Sequence, residues 1–362
     1  MIHQELLDLY TDYLLSSFSL TTATGLAELV DQAYSHDQIT RFLSKEDYTP
    51  KTYWQQIKSV VRQIETDDGI VIVDDTIEEK PSTDENEIVC WHYDHTQSRN
   101  VKGINLLNFV YYRDFRKGQE MTIPLAWEVV AKAASVEDPN THKKRRKSLR
   151  SKNEMVRERL RILTFQNRIR FRYIVFDSWF SSKENMTFIR QTLHKEFVCA
   201  MKANRTVAVS LQEKTAGKFV QVSALELAPN TSRLVYLKGL DSPVCLAKQV
   251  FTNKDGSLGV LYLVSSDTAL TYQELTTIYH KRWKVEEFHQ SVKQHASLEK
   301  SPTKTVRTQK NHIFASLCAF VKLERLKLCT KVNRFAIKHK LYLKALQACF
   351  KELTQLKTMY NI

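Results

Sequence analysis

The chain has 362 residues, of which 43% are hydrophobic, and it carries 54 Lys and Arg against 40 Asp and Glu. This length and composition can bury two or three packed units, which excludes general disorder. The net charge of +14 favours an anionic partner. Nucleic acid is a better match than a membrane surface, because no apolar run approaches ~18 residues and neither end has an amphipathic basic anchor. The first residues lack a basic segment before an apolar stretch, so a cytoplasmic location is expected.

The six cysteines are scattered without a C-x-x-C pair. This pattern indicates buried thiols rather than a disulfide framework. The segment from Cys90 through His92 to His95 lacks a second ligand pair at zinc-finger spacing. We interpret it as a strand end, and no zinc is predicted.

Residues 1–66 are predicted to form a helical N-terminal domain. Ser35 can cap one helix, and Thr49 with Pro50 places proline in the first turn of another that continues to about Ile64. The last of these helices carries Lys51, Lys58 and Arg62. Two interpretations remain open: a bundle that binds DNA ends, or a cap that packs on the next domain.

From residue 69 the pattern changes to short apolar runs rich in β-branched residues, which predict strands. Such runs cover residues 69–75, 103–112 and 121–129. A helical pattern to about Leu163 and a further strand at 171–177 follow. The order strand, strand, strand, helix, strand is the opening of an RNase H-like fold.

A basic run precedes that helix, formed by Lys143, Lys144, Arg145, Arg146 and Lys147. It is either the solvated start of the helix or a contact to DNA backbone phosphates. Both interpretations remain open.

Residues 195–268 contain several short β patterns separated by turn sequences such as Asn-Lys-Asp-Gly, which predicts a β-rich insertion. The second part of the core is expected at 269–310. Residues 311–362 show apolar side chains at helical spacing and are predicted to form a helical C-terminal region. The predicted fold class is therefore α/β, with an RNase H-like catalytic core (67–194 and 269–310) interrupted by the insertion.

Four polar residues after the insertion are spaced for one face of a helix: Tyr279, Arg282, Glu286 and Lys293. At about 100° per residue their side chains fall within roughly 60° of the helix circumference. Such a stripe suits a metal-bound phosphodiester, although Arg282 and Glu286 could also form a plain surface ion pair. The segment resembles the Y-x2-R-x3-E-x6-K signature of DDE transposases of bacterial insertion sequences, in the group called insertion-sequence-four.

The resemblance implies a metal site. In that family two strand aspartates and the helix glutamate hold two divalent metals, which here points to Asp75, Asp177 and Glu286 as catalytic and metal-binding residues. Two metals can activate the attacking oxygen and stabilise the leaving oxygen of a phosphodiester. The family's catalytic Asp stands directly before Thr, which selects Asp75 over Asp74, since alternation lets only one of the two face the pocket.

The resemblance also assigns DNA contacts. Tyr279, Arg282 and Lys293 are implied to contact phosphates near the transposon end. The second aspartate lies in a D-S-W-F-S element, in which Trp179 is expected to be core, and Trp283 is expected to pack on the helix. Some relatives stack a flipped base on a Trp of the insertion, whereas residues 195–268 of this chain contain no Trp.

The sequence thus predicts a transposase that binds terminal inverted repeats, cleaves beside them with Mg²⁺ and joins the freed 3′-hydroxyls to target DNA. Mn²⁺ is expected to substitute for Mg²⁺. A homodimer on double-stranded DNA is expected in the bacterial cytoplasm, associated with the nucleoid. The alternatives are an RNase H-like metal-dependent nuclease or resolvase, and a DNA-binding protein derived from a transposase that no longer cleaves.

Overall fold

The protein is described by a computed structural model covering residues 4–94, 97–115, 119–137 and 144–360, without the side chains of Ser135, Lys144 and Arg145. The α-helices are α1 Gln4–Ser16, α2 Ala23–Leu29, α3 His36–Lys45, α4 Pro50–Ile64, α5 Lys152–Arg161, α6 Lys183–Thr187, α7 Leu211–Thr215, α8 Tyr272–His280, α9 Trp283–His295, α10 Val306–Thr330 and α11 Arg334–Tyr360. The strands are β1 Ile70–Glu79, β2 Val89–Asp94, β3 Arg99–Phe115, β4 Gln119–Val129, β5 Ala134–Glu137, β6 Lys144–Lys147, β7 Tyr173–Phe176, β8 Glu196–Met201, β9 Thr206–Ala208, β10 Val220–Gln221, β11 Thr231–Leu237, β12 Val244–Thr252 and β13 Leu258–Ser265.

The predicted starts of the N-terminal helices are confirmed. Ser35 accepts a hydrogen bond from the Gln38 amide, and the Gln38 side chain accepts one from the Ser35 amide, which is a complete capping box. Thr49 caps α4 and Pro50 occupies its first turn, as expected.

β1 lies inside a mixed sheet of eleven strands among the described residues. It pairs antiparallel with β3 on one side and parallel with β7 on the other. Its first half, Ile-Val-Ile-Val, is apolar on both faces, and Val71, Ile72 and Val73 are fully buried. The central mixed sheet, with helical regions at both termini, confirms the predicted fold class.

The strands predicted within residues 195–268 are present, and they extend the sheet of the core. β8 pairs parallel with β7, and β13 pairs antiparallel with β8. Beyond β13 the order is β12, β11, β9 and β10. The division of the chain into domains stays a prediction, because sheet pairing alone does not define a domain.

The N-terminal helices pack against α10 and β4. The Tyr10 hydroxyl lies 3.0 Å from Nδ1 of buried His312, and the Tyr53 hydroxyl donates to the Pro124 carbonyl at 2.8 Å. The Asn311 side chain donates to the Leu43 carbonyl at the end of α3, also at 2.8 Å. This packing favours the cap interpretation of the N-terminal helices, while DNA binding by them stays a prediction.

No helix among the described residues is long and apolar enough to cross a membrane. Cys90 is buried in β2, in keeping with its interpretation as part of a strand. Cys199 and Cys245 are buried as well, whereas Cys329 and Cys349 are exposed. The expectation of buried thiols is therefore confirmed for the first three cysteines and is wrong for Cys329 and Cys349.

Candidate active site

Two neighbouring strands position the first acidic residues. Asp177 directly follows β7, as predicted. Asp75, however, does not end its strand, because β1 continues to Glu79 through its pairing with β3. In the parallel register Ile72 is opposite Val175. Side chains alternate along a strand, so continuation of this register places Asp74 beside Asp177 on one face and turns Asp75 to the other.

The predicted single helix is wrong: the stripe is divided between two helices. α8 ends at His280 and carries Tyr279, while α9 begins at Trp283 and carries Glu286. The Arg282 amide donates to the Tyr279 carbonyl, and the Val285 amide to the Arg282 carbonyl, so tight i→i+3 bonds replace the α-helical pattern here. The break places Arg282 at the corner between the two helices.

Arg282 joins two carboxylates from different elements. Its Nη1 lies 3.2 Å from Asp74 Oδ2 and 3.0 Å from Glu286 Oε1. The expected Arg282–Glu286 pair is therefore present, but it is not a plain surface pair, since the guanidinium is largely buried and also holds the β1 carboxylate.

The electrostatics show that the acidic residues lie near one another. Burial raises the pKa of Asp74 to about 8, and the negative charge of Asp177 adds to the effect, against the cation of Arg282. Glu286 also contributes in the raising direction. Burial likewise raises the pKa of Asp177, although the Trp179 amide, which donates to its Oδ1 at 2.9 Å, acts in the opposite direction.

Asp75 has a different set of partners. Lys152, at the start of α5, lies 2.6 Å from Asp75 Oδ2, and the Asn105 side chain donates to the same oxygen at 2.8 Å. Its assignment as a metal ligand stays a prediction, and the structure brings its neighbour Asp74 to Arg282 and Glu286 instead. Strand alternation together with the β1–β7 register is the signal that distinguishes the two, and it is not readable from sequence alone.

The other residues of the stripe differ in their positions. Tyr279 is buried near Arg282, and burial raises its pKa to about 12. Lys293 donates to the Ile77 carbonyl at 2.7 Å and lies 3.0 Å from Glu299. The Lys293 ammonium therefore contacts β1 at Ile77, three residues after Asp74. Its phosphate contact stays a prediction.

Two tryptophans beside the site are exposed. The expectation that Trp179 is core is wrong: its side chain is 50% exposed, with the Lys152 ammonium 5.1 Å from the ring centroid. Trp283 is 60% exposed, and the Arg282 guanidinium lies 5.3 Å from its centroid, so packing does not cover it either. Phe176 is buried. Sequence reasoning missed this exposure because aromatic residues beside apolar strands are most often core.

The basic run lies apart from a helix start. Residues 144–147 form β6, which pairs with β5, and α5 begins only at Lys152. Lys143 and the side chains of Lys144 and Arg145 lie outside the described part of the chain, whereas Arg146 is exposed. The interpretation as a solvated helix start is wrong, and the phosphate contact stays a prediction.

The carboxylates fit a divalent cation by their chemistry. Carboxylate oxygens are the ligands that Mg²⁺ prefers. Burial and then the charge of Asp177 raise the pKa of Asp74, so added positive charge beside it would relieve repulsion. Among the described residues, no three His, Cys, Asp or Glu side chains stand close enough to hold an ion. In this arrangement Arg282 supplies the positive charge between two of the carboxylates.

Part of the chain matches a known protein family. Residues 3–218, more than half of the chain, match the sequence profile of a family described as DDE superfamily endonuclease. The match includes Asp74, Asp75 and Asp177 and ends before Glu286. A search of curated proteins gave no match. Glu286 lies outside the matched residues. It is linked to the matched acidic residues through Arg282, which contacts both Glu286 and Asp74.

Proposed function

Because the chain belongs to the family of DDE superfamily endonucleases, we propose that it is a cut-and-paste transposase of the insertion-sequence-four type. It binds the terminal inverted repeats of its element, cleaves beside them with Mg²⁺ and joins the freed 3′-hydroxyls to target DNA. One observation carries the proposal: Arg282 draws together carboxylates of β1 and α9, Asp74 and Glu286, while Asp177 at the end of β7 adds its charge to the same group.

Asp177, Glu286 and one carboxylate of the Asp74–Asp75 pair would hold the metal. The resemblance selects Asp75, whereas the contacts with Arg282 favour Asp74. Bound divalent ions would supply an activated oxygen nucleophile and stabilise the leaving oxygen. Mn²⁺, which also prefers oxygen ligands, is proposed to substitute for Mg²⁺.

The basic groups of the site would position DNA. Arg282 contacts two carboxylates, and its planar guanidinium carries further N–H donors that would bind a phosphate placed beside them. Tyr279 is proposed to act beside it. For Lys293 the same role requires release from Ile77 and Glu299. The basic residues 143–146 are proposed to contact backbone phosphates further along the DNA, on which the protein acts as a homodimer.

The test uses labelled DNA carrying the genomic ends that flank this reading frame, with Mg²⁺ or Mn²⁺ and an unlabelled target. We expect both cut ends and a joined product. Glu286→Gln should abolish both products, and Glu287→Gln is the matched control, because that neighbouring carboxylate pairs with Lys284 instead.

Two outcomes overturn the proposal. Cleavage without joined product identifies a nuclease or resolvase. Specific binding of the ends by the folded wild-type protein, without cleavage in either metal, identifies a DNA-binding protein that has lost its chemistry.

A further inference from the structure

The last helix is fastened to the body only at its beginning. In α11 the side chains of Arg334 and Lys338 are buried, the first within 3.2 Å of buried Glu324 in α10. The Lys338 ammonium donates to the Ser17 carbonyl at 3.1 Å. From residue 339 to 360 no side chain is buried. The Tyr342 ring also packs edge-on against Phe18, with the ring centroids 5.1 Å apart. Beyond Tyr342, no side chain of this helix of 27 residues is buried by the described chain.

Leu341, Leu343, Phe350 and Met359 are exposed apolar residues of this part, and six further apolar residues are regularly spaced. Their spacing alternates between four and three residues through Tyr342, Leu346, Cys349, Leu353, Leu356 and Tyr360. At about 100° per residue these six side chains fall within about 80° of the helix circumference. Leu353 is 49%, Leu356 43% and Tyr360 67% exposed. An apolar seam with a 3.5-residue period on an exposed helix is the pattern of a coiled coil.

We propose that α11 pairs with α11 of a second copy of this chain in a parallel two-stranded coiled coil, and that the pairing requires neither DNA nor metal. In the heptad, Leu346, Leu353 and Tyr360 occupy the a positions, and Tyr342, Cys349 and Leu356 occupy the d positions. These side chains insert between those of the partner helix.

The charges beside the seam match a parallel second copy. Glu352 occupies a g position and Lys357 the e position five residues later, the pair that faces across a parallel coiled coil. Two-fold symmetry makes this pair twice. Lys344 and Lys351 both occupy f positions on the outside of the dimer, where their charges are furthest apart.

Cys349 offers a geometric test of the arrangement. In a parallel, in-register pair the two Cys349 residues face each other at a d layer. A disulfide requires Cα atoms about 4.4–6.8 Å apart. In an antiparallel pair centred on the seam, Cys349 faces Leu353 of the other copy, and the two thiols are offset along the axis. Cys329, the other exposed thiol, lies in α10 outside the seam.

The experiment uses the full-length protein without DNA or metal, so its outcome is independent of the proposed chemistry. Sedimentation equilibrium at micromolar concentration should give a dimer for the wild type and a monomer for Leu353→Asp. Gln355→Asp is the matched control, because it adds the same charge to the opposite face of the same turn and should remain a dimer. Circular dichroism checks that the variants are folded.

Mild oxidation with copper phenanthroline should convert most of the wild type and Cys329→Ser to disulfide-linked dimer, and Cys349→Ser should give none. A monomeric wild type, or an equally dimeric Leu353→Asp protein, overturns the coiled coil. A dimer that fails to crosslink through Cys349 overturns the parallel arrangement.

Discussion

Substitution of Asp74 by Asn should stabilise the protein while abolishing cleavage. Asp74 is largely buried, and burial together with the charge of Asp177 raises its pKa to about 8. Asn has the same shape, and its Oδ1 can still accept the hydrogen bond that the Asp75 amide donates to Asp74 Oδ1 at 2.9 Å. The substitution therefore removes the cost of the buried acid and keeps its shape, although its amide nitrogen replaces the Oδ2 that accepts from Arg282, which offsets part of the gain.

The size of the effect follows from the pKa. Asp74 has an ordinary pKa of 3.8, so at pH 7 the unfolded chain has released a proton that the folded protein retains. Each pH unit within this window costs about 1.4 kcal/mol, which gives about 4 kcal/mol at pH 7. The sign is that of an acid with a raised pKa in the folded state: stability is full below pH 3.8 and falls as pH rises towards 8. The Asn variant should lack this loss.

Asp75 should behave in the opposite way. Its carboxylate pairs with Lys152 at 2.6 Å and accepts a hydrogen bond from Asn105, so Asp75→Asn should destabilise the protein by about 1 kcal/mol. The contacts of Asp74 with Arg282 predict that Asp74→Asn also loses cleavage, with a milder effect for Asp75→Asn. The resemblance to the transposase family predicts the reverse for cleavage.

Urea unfolding of both variants, followed by circular dichroism from pH 4 to pH 8 in EDTA, measures the stabilities, and the cleavage assay on labelled ends measures the activities. An Asp74→Asn protein that is less stable than the wild type at pH 7 would refute the reasoning about burial. Full cleavage by a folded Asp74→Asn protein would return the ligand role to Asp75.

Three further outcomes are expected. Arg282→Ala should weaken cleavage and end binding in a gel shift, because a cation joining carboxylates can bind phosphate but cannot ligate a metal, and Lys281→Ala serves as the control. Replacing residues 143–146 by Ala should flatten the dependence of binding on salt, because fewer counterions are released; an unchanged slope would exclude the phosphate contact. His312→Gln should lessen the loss of stability between pH 6.5 and 4. Burial lowers the His312 pKa from 6.5 to about 4, so the unfolded state binds the extra proton there and stability falls as pH falls, by about 3 kcal/mol. Urea unfolding would measure this, and a pH dependence equal to that of the wild type would count against the burial of a neutral imidazole.

The features that were predictable from sequence are those with local causes. The side chains of Ser35 and Thr49 accept hydrogen bonds from the first amides of their own helices. A helix start of this kind is therefore determined by about four neighbouring residues and is readable from sequence. The apolar runs of β1 and β7 are short and β-branched, which suits strands covered on both faces. The position of Asp177 follows from the end of β7 alone.

The features that were missed depend on distant contacts. The choice between Asp74 and Asp75 requires the register between strands about a hundred residues apart in sequence. The break between α8 and α9 is not marked by Pro or Gly, and it coincides with Arg282, which is held by a carboxylate of β1. Whether Trp179 is exposed depends on whether a distant part of the chain packs over it. Local sequence patterns carry no information about such packing.

A contact just after β13 fastens the chain to the strand that precedes Asp177. Asp177 and Glu286 are separated by 109 positions (286 − 177) in the sequence. Both nevertheless lie near enough to Asp74 to raise its pKa. Just after β13, Asp267 accepts hydrogen bonds from the Arg172 guanidinium at 2.6 Å and from the Tyr173 hydroxyl at 2.7 Å. Both donors lie at the start of the strand that Asp177 follows, so the segment leading into α8 is fastened to β7 itself. Because loop-closure cost grows only slowly with loop length, one polar contact of this kind and the β8–β13 pairing allow a long segment between Asp177 and Glu286 without displacing Glu286 from the other acids.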